Sequence, residues 1–141
     1  MTPQAAKFPE KAEKLLAEAE TMLGVGLRDA AGRTAYLAGF HAAQALIFEA
    51  TRRALKTHKG VQTEFLRLTK DDGRLDADLR VFLPRAYDLK SIVDYETGPN
   101  AGLSAATATE AVPAGRRFIA RVGELLPPSA SASSRNDRIK P

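Results

Sequence analysis

The sequence predicts an all-α protein: an up-and-down bundle of four main helices plus one short helix, followed by a disordered C-terminal tail. Three observations predict it. Apolar residues recur at spacings of three and four along most of the chain, the period of a helix with one buried face. Period-two alternation of β-branched residues, the mark of a half-buried strand, is missing, and Val and Ile are scarce. Glycine- and proline-rich stretches cut the apolar stripes into bundle-sized lengths.

The first helix is expected over Phe8 to Leu23, where Phe8, Ala12, Leu15, Leu16, Ala19, Met22 and Leu23 share a face and Pro9 fits the first turn. Gly24 and Gly26 end it. Asp29 is the expected N-cap of a second helix running to about Leu55. Its stripe of Arg33, Tyr36, Phe40, Ala43, Ile47, Ala50 and Ala54 is crowded by Ala38, Gly39, Ala42 and Ala45. Small side chains let neighbouring helices approach closely, so this is the expected central helix.

Gly60 reads as a turn, and Val61 to Leu68 as the short helix. Lys70-Asp71-Asp72-Gly73 is a polar turn. Leu75, Leu79, Phe82, Leu83, Ala86, Leu89 and Val93 form the next stripe. Pro84 either kinks that helix or divides it near Val81. The loop Thr97 to Gly102 precedes Ser104, which can cap a last helix reaching Leu126; Pro113 should kink it or delay its start to about Val112. Residues 1–126 thus form one helical domain, and residues 127–141 the tail, whose one large apolar residue, Ile139, cannot repay the entropy of ordering.

Composition narrows the chemistry. The 141 residues include no Cys and no Trp, and only His41 and His58. Disulfides, Cys-ligated metals, thiol catalysis and multi-histidine centres are therefore excluded, and no metal or other cofactor is expected. No apolar stretch is long enough for a membrane span or a secretory signal, which predicts a cytoplasmic protein with no membrane partner. The net charge of +4 is mild, and the tail holds +2 of it through Arg135, Arg138 and Lys140 against Asp137. One basic cluster stands out, Arg52, Arg53, Lys56 and Lys59 around His58; it suits a solvated helix end or a polyanion contact.

Phosphate-binding and catalytic signatures with a preceding strand are missing: Gly24-Val25-Gly26 lacks the third glycine of a dinucleotide loop. His41 on the central helix suits a packed, hydrogen-bonded role. Arg33 and Tyr36 lie three apart on one face. Lys90 can pair with Asp94 four residues later, and Asp94-Tyr95 closes its helix beside the flexible loop, where a carboxylate and a phenol can also meet a ligand.

The run Arg33-Thr34-Ala35-Tyr36-Leu37-Ala38-Gly39-Phe40-His41-Ala42-Ala43-Gln44-Ala45-Leu46-Ile47-Phe48 resembles the central helix of the HEPN family, whose name abbreviates higher eukaryote and prokaryote nucleotide-binding domains. Lys56-Thr57-His58-Lys59-Gly60-Val61-Gln62 with Phe65, and the later Asp94-Tyr95, are similar to segments of one bacterial branch. The resemblance spans Phe8 to Leu126. It implies a dimerising bundle, a place in a toxin–antitoxin system and a minimal nucleotidyltransferase partner. It also implies metal-independent RNA cleavage by an Arg followed, after four to six residues, by a His. The His moves a proton at the ribose while the Arg stabilises charge on the phosphate.

This sequence departs from that motif. Lys90 stands near the expected Arg and Asp94 near the expected His, and no His follows His58. A formal match survives elsewhere, with four residues between Arg53 and His58, which makes these two the candidate catalytic pair. Lys90, Asp94, Tyr95, Arg33 and Lys59 are the candidate nucleotide- or RNA-binding residues. The resulting expectation is a homodimeric, HEPN-like protein that binds RNA or a nucleotide and a nucleotidyltransferase partner, with a degenerate RNase motif. The alternatives are an active RNase and a non-catalytic dimerisation scaffold. In the family reading, Tyr95 or Tyr87 is the place for nucleotide transfer onto a tyrosine.

Overall fold

Helix α2, Arg28–Thr51, is the axis of the molecule. It buries 14 of its 24 residues, on nearly every side, because alanine and glycine let other helices close in around it. The computed structural model describes residues 3–99 and 101–126, with side chains from Lys7 onward; the expected tail, residues 127–141, lies outside the described residues. Around α2 stand α1 (Pro3–Gly24), α3 (His58–Thr69), the single turn α4 (Ala77–Arg80), α5 (Phe82–Tyr95) and α6 (Ala105–Leu125). No strand occurs among the described residues.

Helix α2 runs antiparallel to α1 and to α5 and parallel to α6, whose start lies by Gly32 and whose Gly115 meets Ala35. At one end Phe8 of α1 meets Phe48 of α2, ring centroids 6.3 Å apart. At the other, the Thr34 hydroxyl of α2 points at Met22 Sδ of α1, 3.5 Å away. Helix α5 likewise places Asp94 beside Arg33 and Phe82 beside Gly39. Phe118 of α6 is fully buried between Phe82 (4.6 Å, stacked) and Phe65 of α3 (5.2 Å), tying three helices together behind α2.

The element boundaries differ from expectation in five places. Helix α1 begins at Pro3 and holds Pro9 inside it rather than in the first turn. Asp29 is not the N-cap of α2, a position Leu27 takes; its carboxylate instead accepts the Leu103 N–H (2.7 Å), fastening the loop before α6. Helix α2 stops at Thr51, not Leu55: Arg52 turns left-handed (φ 63°), and Gln44 Nε2 holds the Leu55 carbonyl (2.8 Å), folding the connection back. Helix α3 starts at His58, where Thr57 caps it by accepting the Gly60 N–H (3.0 Å), so Gly60 lies in the first turn rather than breaking the chain.

The stripe around Pro84 divides at Val81, one of the two expected outcomes, leaving α4 as a separate turn capped by Asp76. Pro84 then sits in the first turn of α5, where no N–H is needed. Pro113 does not delay α6, which runs unbroken from its Ser104 cap and keeps the proline inside it. Burial of Ala108, Ala111, Val112, Gly115 and Phe118 on either side of that residue keeps the helix against α2.

Candidate functional site

Three helices bring polar and aromatic side chains to one place. The start of α2 contributes Arg33, Tyr36 and Phe40, three and four residues apart on one face. The first two turns of α3 contribute His58 and Gln62. Helix α5 contributes Tyr87, Lys90 and Asp94, again at spacings of three and four.

Tyr36 is fully buried, and its hydroxyl lies 2.6 Å from His58 Nδ1. The imidazole is packed among Tyr87 (centroids 4.9 Å), Phe40 (5.3 Å) and Tyr36 (5.6 Å), and Tyr36 meets Tyr87 edge-on at 5.6 Å. Burial pushes the Tyr36 phenol up to about 12; a hydrogen bond from Gln62 works against that rise, and Tyr87 adds to it. Burial, and then the nearby Lys90 charge, lower the His58 pKa below its ordinary value. At neutral pH the pair is therefore a phenol donating to a neutral imidazole.

Next to this pair, one carboxylate holds two cations from different helices. Asp94 Oδ1 accepts from Arg33 Nε at 3.1 Å, and Asp94 Oδ2 from Lys90 Nζ at 2.5 Å. The hydrogen bond and charge of Lys90, followed by Arg33, hold the Asp94 carboxyl below the usual carboxylate range against its desolvation. The Lys90 side chain is only 12% exposed, whereas Arg33 is 46% exposed, so the cluster opens to solvent on the α2 side.

The structure thus joins Arg33, Lys90 and Asp94, with His58 alongside. Tyr95 stands next to Asp94 but is 76% exposed. Arg53 and Lys59 line a separate shallow cleft with Thr57, Thr63 and Glu64. There Arg53 is paired with Glu64 (3.6 Å), which Arg67 also engages, while the His58 ring packs toward α2 and α5. Sequence reasoning named Tyr87 only as a place for nucleotide transfer, missed Gln62 as a member of the site and left Tyr36 unconnected to His58. The signal was present in Tyr87, Lys90 and Asp94, which recur on one face of α5 as Arg33 and Tyr36 do on α2.

His41 takes the structural role expected of it. Its Nδ1–H donates to Gln44 Oε1 (2.6 Å), supporting the glutamine that holds Leu55. A further groove lies elsewhere, between α4–α5 and α6, over Leu79, Phe82 and Leu89. Its rim carries five carboxylates (Asp76, Asp78, Asp88, Glu110 and Glu124) against the guanidiniums of Arg85, Arg117 and Arg121, a poor setting for an anionic ligand. Among the described residues no group of His, Asp and Glu is arranged to hold a metal ion, and no helix is long and apolar enough to cross a membrane.

Residues 5–125 match the family model of the HEPN domain. The chain belongs to the HEPN family. A UPF0332 protein of Archaeoglobus fulgidus is 38% identical to this HEPN domain over 85 residues, 60% of the chain and 66% of the relative, just under two thirds of its length. The crystal structure of TT1696 from Thermus thermophilus shares the fold, with a TM-score of 0.67 at 23% identity over 89% of this chain and all of that one. The all-helical bundle expected from the apolar stripes is therefore also the architecture of a solved relative.

Proposed function

We propose that this HEPN domain works by binding a phosphate-bearing ligand, RNA or a nucleotide, at the cluster formed by Arg33, Lys90, His58 and Tyr87, with the buried Tyr36 holding His58 in place. One observation carries the reading: two cations from different helices converge on a single point, Asp94, beside a wall of aromatic rings. Converging cations recognise phosphate oxygens, and the half-buried Tyr87 and His58 rings give a base or ribose a face to lie on. Tyr95 extends the contact at the α5 end; Lys59, in the separate cleft, lies outside it. In the cell the domain acts as a homodimer with a minimal nucleotidyltransferase, in the cytoplasm, as part of a toxin–antitoxin pair. The family membership and the central-helix motif support this part.

Binding of ATP and of a fluorescein-labelled single-stranded RNA at low salt tests the reading. Arg33→Glu and Lys90→Glu should each abolish the signal while leaving helicity by circular dichroism unchanged. Binding unaffected by both substitutions overturns it. Co-expression with a minimal nucleotidyltransferase encoded beside this gene should give a complex that survives size exclusion; clean separation, or an adjacent gene of another kind, counts against that partner.

A second reading is favoured by the His58 environment. With the Tyr36 contact reversed, so that His58 Nδ1–H donates to the phenol oxygen, Nε2 is free to take the ribose 2′-hydroxyl proton as the 2′-oxygen attacks phosphorus and the 5′-oxygen leaves, protonated by solvent, while Lys90 steadies the phosphate; this gives a metal-independent RNase. Arg53, separated from the histidine by four residues, would need to leave Glu64 to take part. The expected result is RNA cleavage in EDTA that His58→Ala abolishes; intact RNA removes this reading and leaves the binding function standing.

A further inference from the structure

Asp94 sits in the last turn of α5, which ends at Tyr95, and the backbone there leaves the helix through Glu96. That is the negative end of the helix dipole, where a carboxylate is disfavoured. Its side chain is nonetheless 21% exposed and divides its two oxygens between Arg33 and Lys90. Two oxygens on one atom, each held by its own cation, reproduce the way two oxygens of a phosphate would be held. We propose that Asp94 is a built-in competitor: its carboxylate occupies the anion site of Arg33 and Lys90, and a ligand phosphate binds by displacing it. The inference rests on the phosphate-binding reading of the same cluster.

The charge balance explains why displacement is required. With His58 neutral, Arg33, Lys90 and Asp94 leave this point with a single net positive charge, and a phosphate approaching Lys90 meets the carboxylate at close range. A competitor of this kind weakens every anionic ligand and favours those that bring at least two negative oxygens. Polyphosphates and nucleic-acid backbones are then selected over singly charged anions.

The test compares wild type, Asp94→Asn and Asp94→Glu, with ATP in one arm and a fluorescein-labelled single-stranded RNA in the other, across a salt series. Asp94→Asn should bind about tenfold tighter. Its log-affinity for RNA should fall more steeply with log salt, by about 0.7, since one more cation is free to meet a phosphate. Asp94→Glu restores the carboxylate and should restore wild-type affinity. Tightening with ATP alone assigns the site to nucleotides, tightening with RNA alone to the nucleic-acid backbone, and either supports the competitor.

Equal or weaker binding by folded Asp94→Asn, with wild type binding normally, overturns the competitor and spares the binding reading. Failure of both wild type and Asp94→Asn to bind either probe overturns the binding reading itself. A measurement on the wild type needs no substitution. The Asp94 carboxyl, followed by carbon NMR through an acid titration, should move from its depressed pKa toward the ordinary carboxylate range when ATP or RNA is added. No movement at saturating ligand overturns the competitor.

Discussion

The Tyr36 hydroxyl and His58 Nδ1, 22 residues apart in sequence, are 2.6 Å apart in the fold. Because the phenol is buried and hard to ionise, it donates and the imidazole accepts, which fixes both the tautomer and the ring orientation of His58. Helices α2 and α3 are joined at this point by a polar contact set inside an aromatic cluster.

Removing that hydroxyl should cost stability and change the histidine. Tyr36→Phe keeps the ring but leaves His58 Nδ1 without its partner, for an expected loss of about 1–2 kcal/mol in urea denaturation. The hydrogen bond favours the neutral imidazole, so the His58 pKa should rise when followed by NMR, though burial and Lys90 still hold it below its ordinary value. An unchanged histidine titration would refute the assigned direction of the hydrogen bond.

At high pH the same phenol should limit stability. Its folded pKa, about 12, exceeds the unfolded value of 10.0, so its contribution is fully present below pH 10 and is lost as pH rises toward 12. In an ultraviolet titration of native protein, one component of the tyrosinate signal should lag the rest. Tyr36→Phe should delete the lagging component; its persistence would refute the assignment.

Acid acts through the two histidines before it acts through the carboxylates. Both His41 and His58 have folded pKa values below 6.5, principally through burial. The unfolded chain therefore binds these protons first. The stability they supply is present above pH 6.5 and is lost as pH falls through the folded values. Asp94, Glu64 and Asp72, all depressed by neighbouring cations, give way only at lower pH. Urea midpoints should thus already decline between pH 7 and about 5, and the combined His41→Gln and His58→Gln variant should flatten that decline.

How much of this was written in the sequence depends on how far apart the interacting residues lie. The stripes of α1, α5 and α6, the Ser104 cap and the Lys90–Asp94 pair are local, and local spacing revealed them. The end of α2 was not legible, because Arg52 turns left-handed and Gln44 captures a carbonyl 11 residues on. Asp29 has the composition of a cap, yet a partner 74 residues away claims its carboxylate. The site followed the same rule. Arg33 reaches Asp94 across 61 positions, which no helical period can announce. Helical spacing on α2 and α5 did hold every member of those two faces, but nothing in it said that the faces would meet.

The close approach of α2 and α5 offers the sharpest test of the fold. Gly39 faces the Phe82 ring, so a methyl group there would collide with Cε2 and lie 3.3 Å from two further ring carbons. Phe82 cannot swing aside cheaply, since it is stacked at 4.6 Å on the fully buried Phe118. Alanine is the better helix former by about 0.8–1.0 kcal/mol, yet overpacking of this kind costs about 1–3 kcal/mol. Gly39→Ala should therefore destabilise the bundle. Gly123→Ala on α6, with nothing within 4 Å of the added methyl, should stabilise it. Phe82→Leu should cost stability alone but recover part of the loss in the Gly39→Ala background, which a double-mutant cycle reads as a coupling of about 1 kcal/mol. Additive losses would mean that the two helices do not approach through this pair.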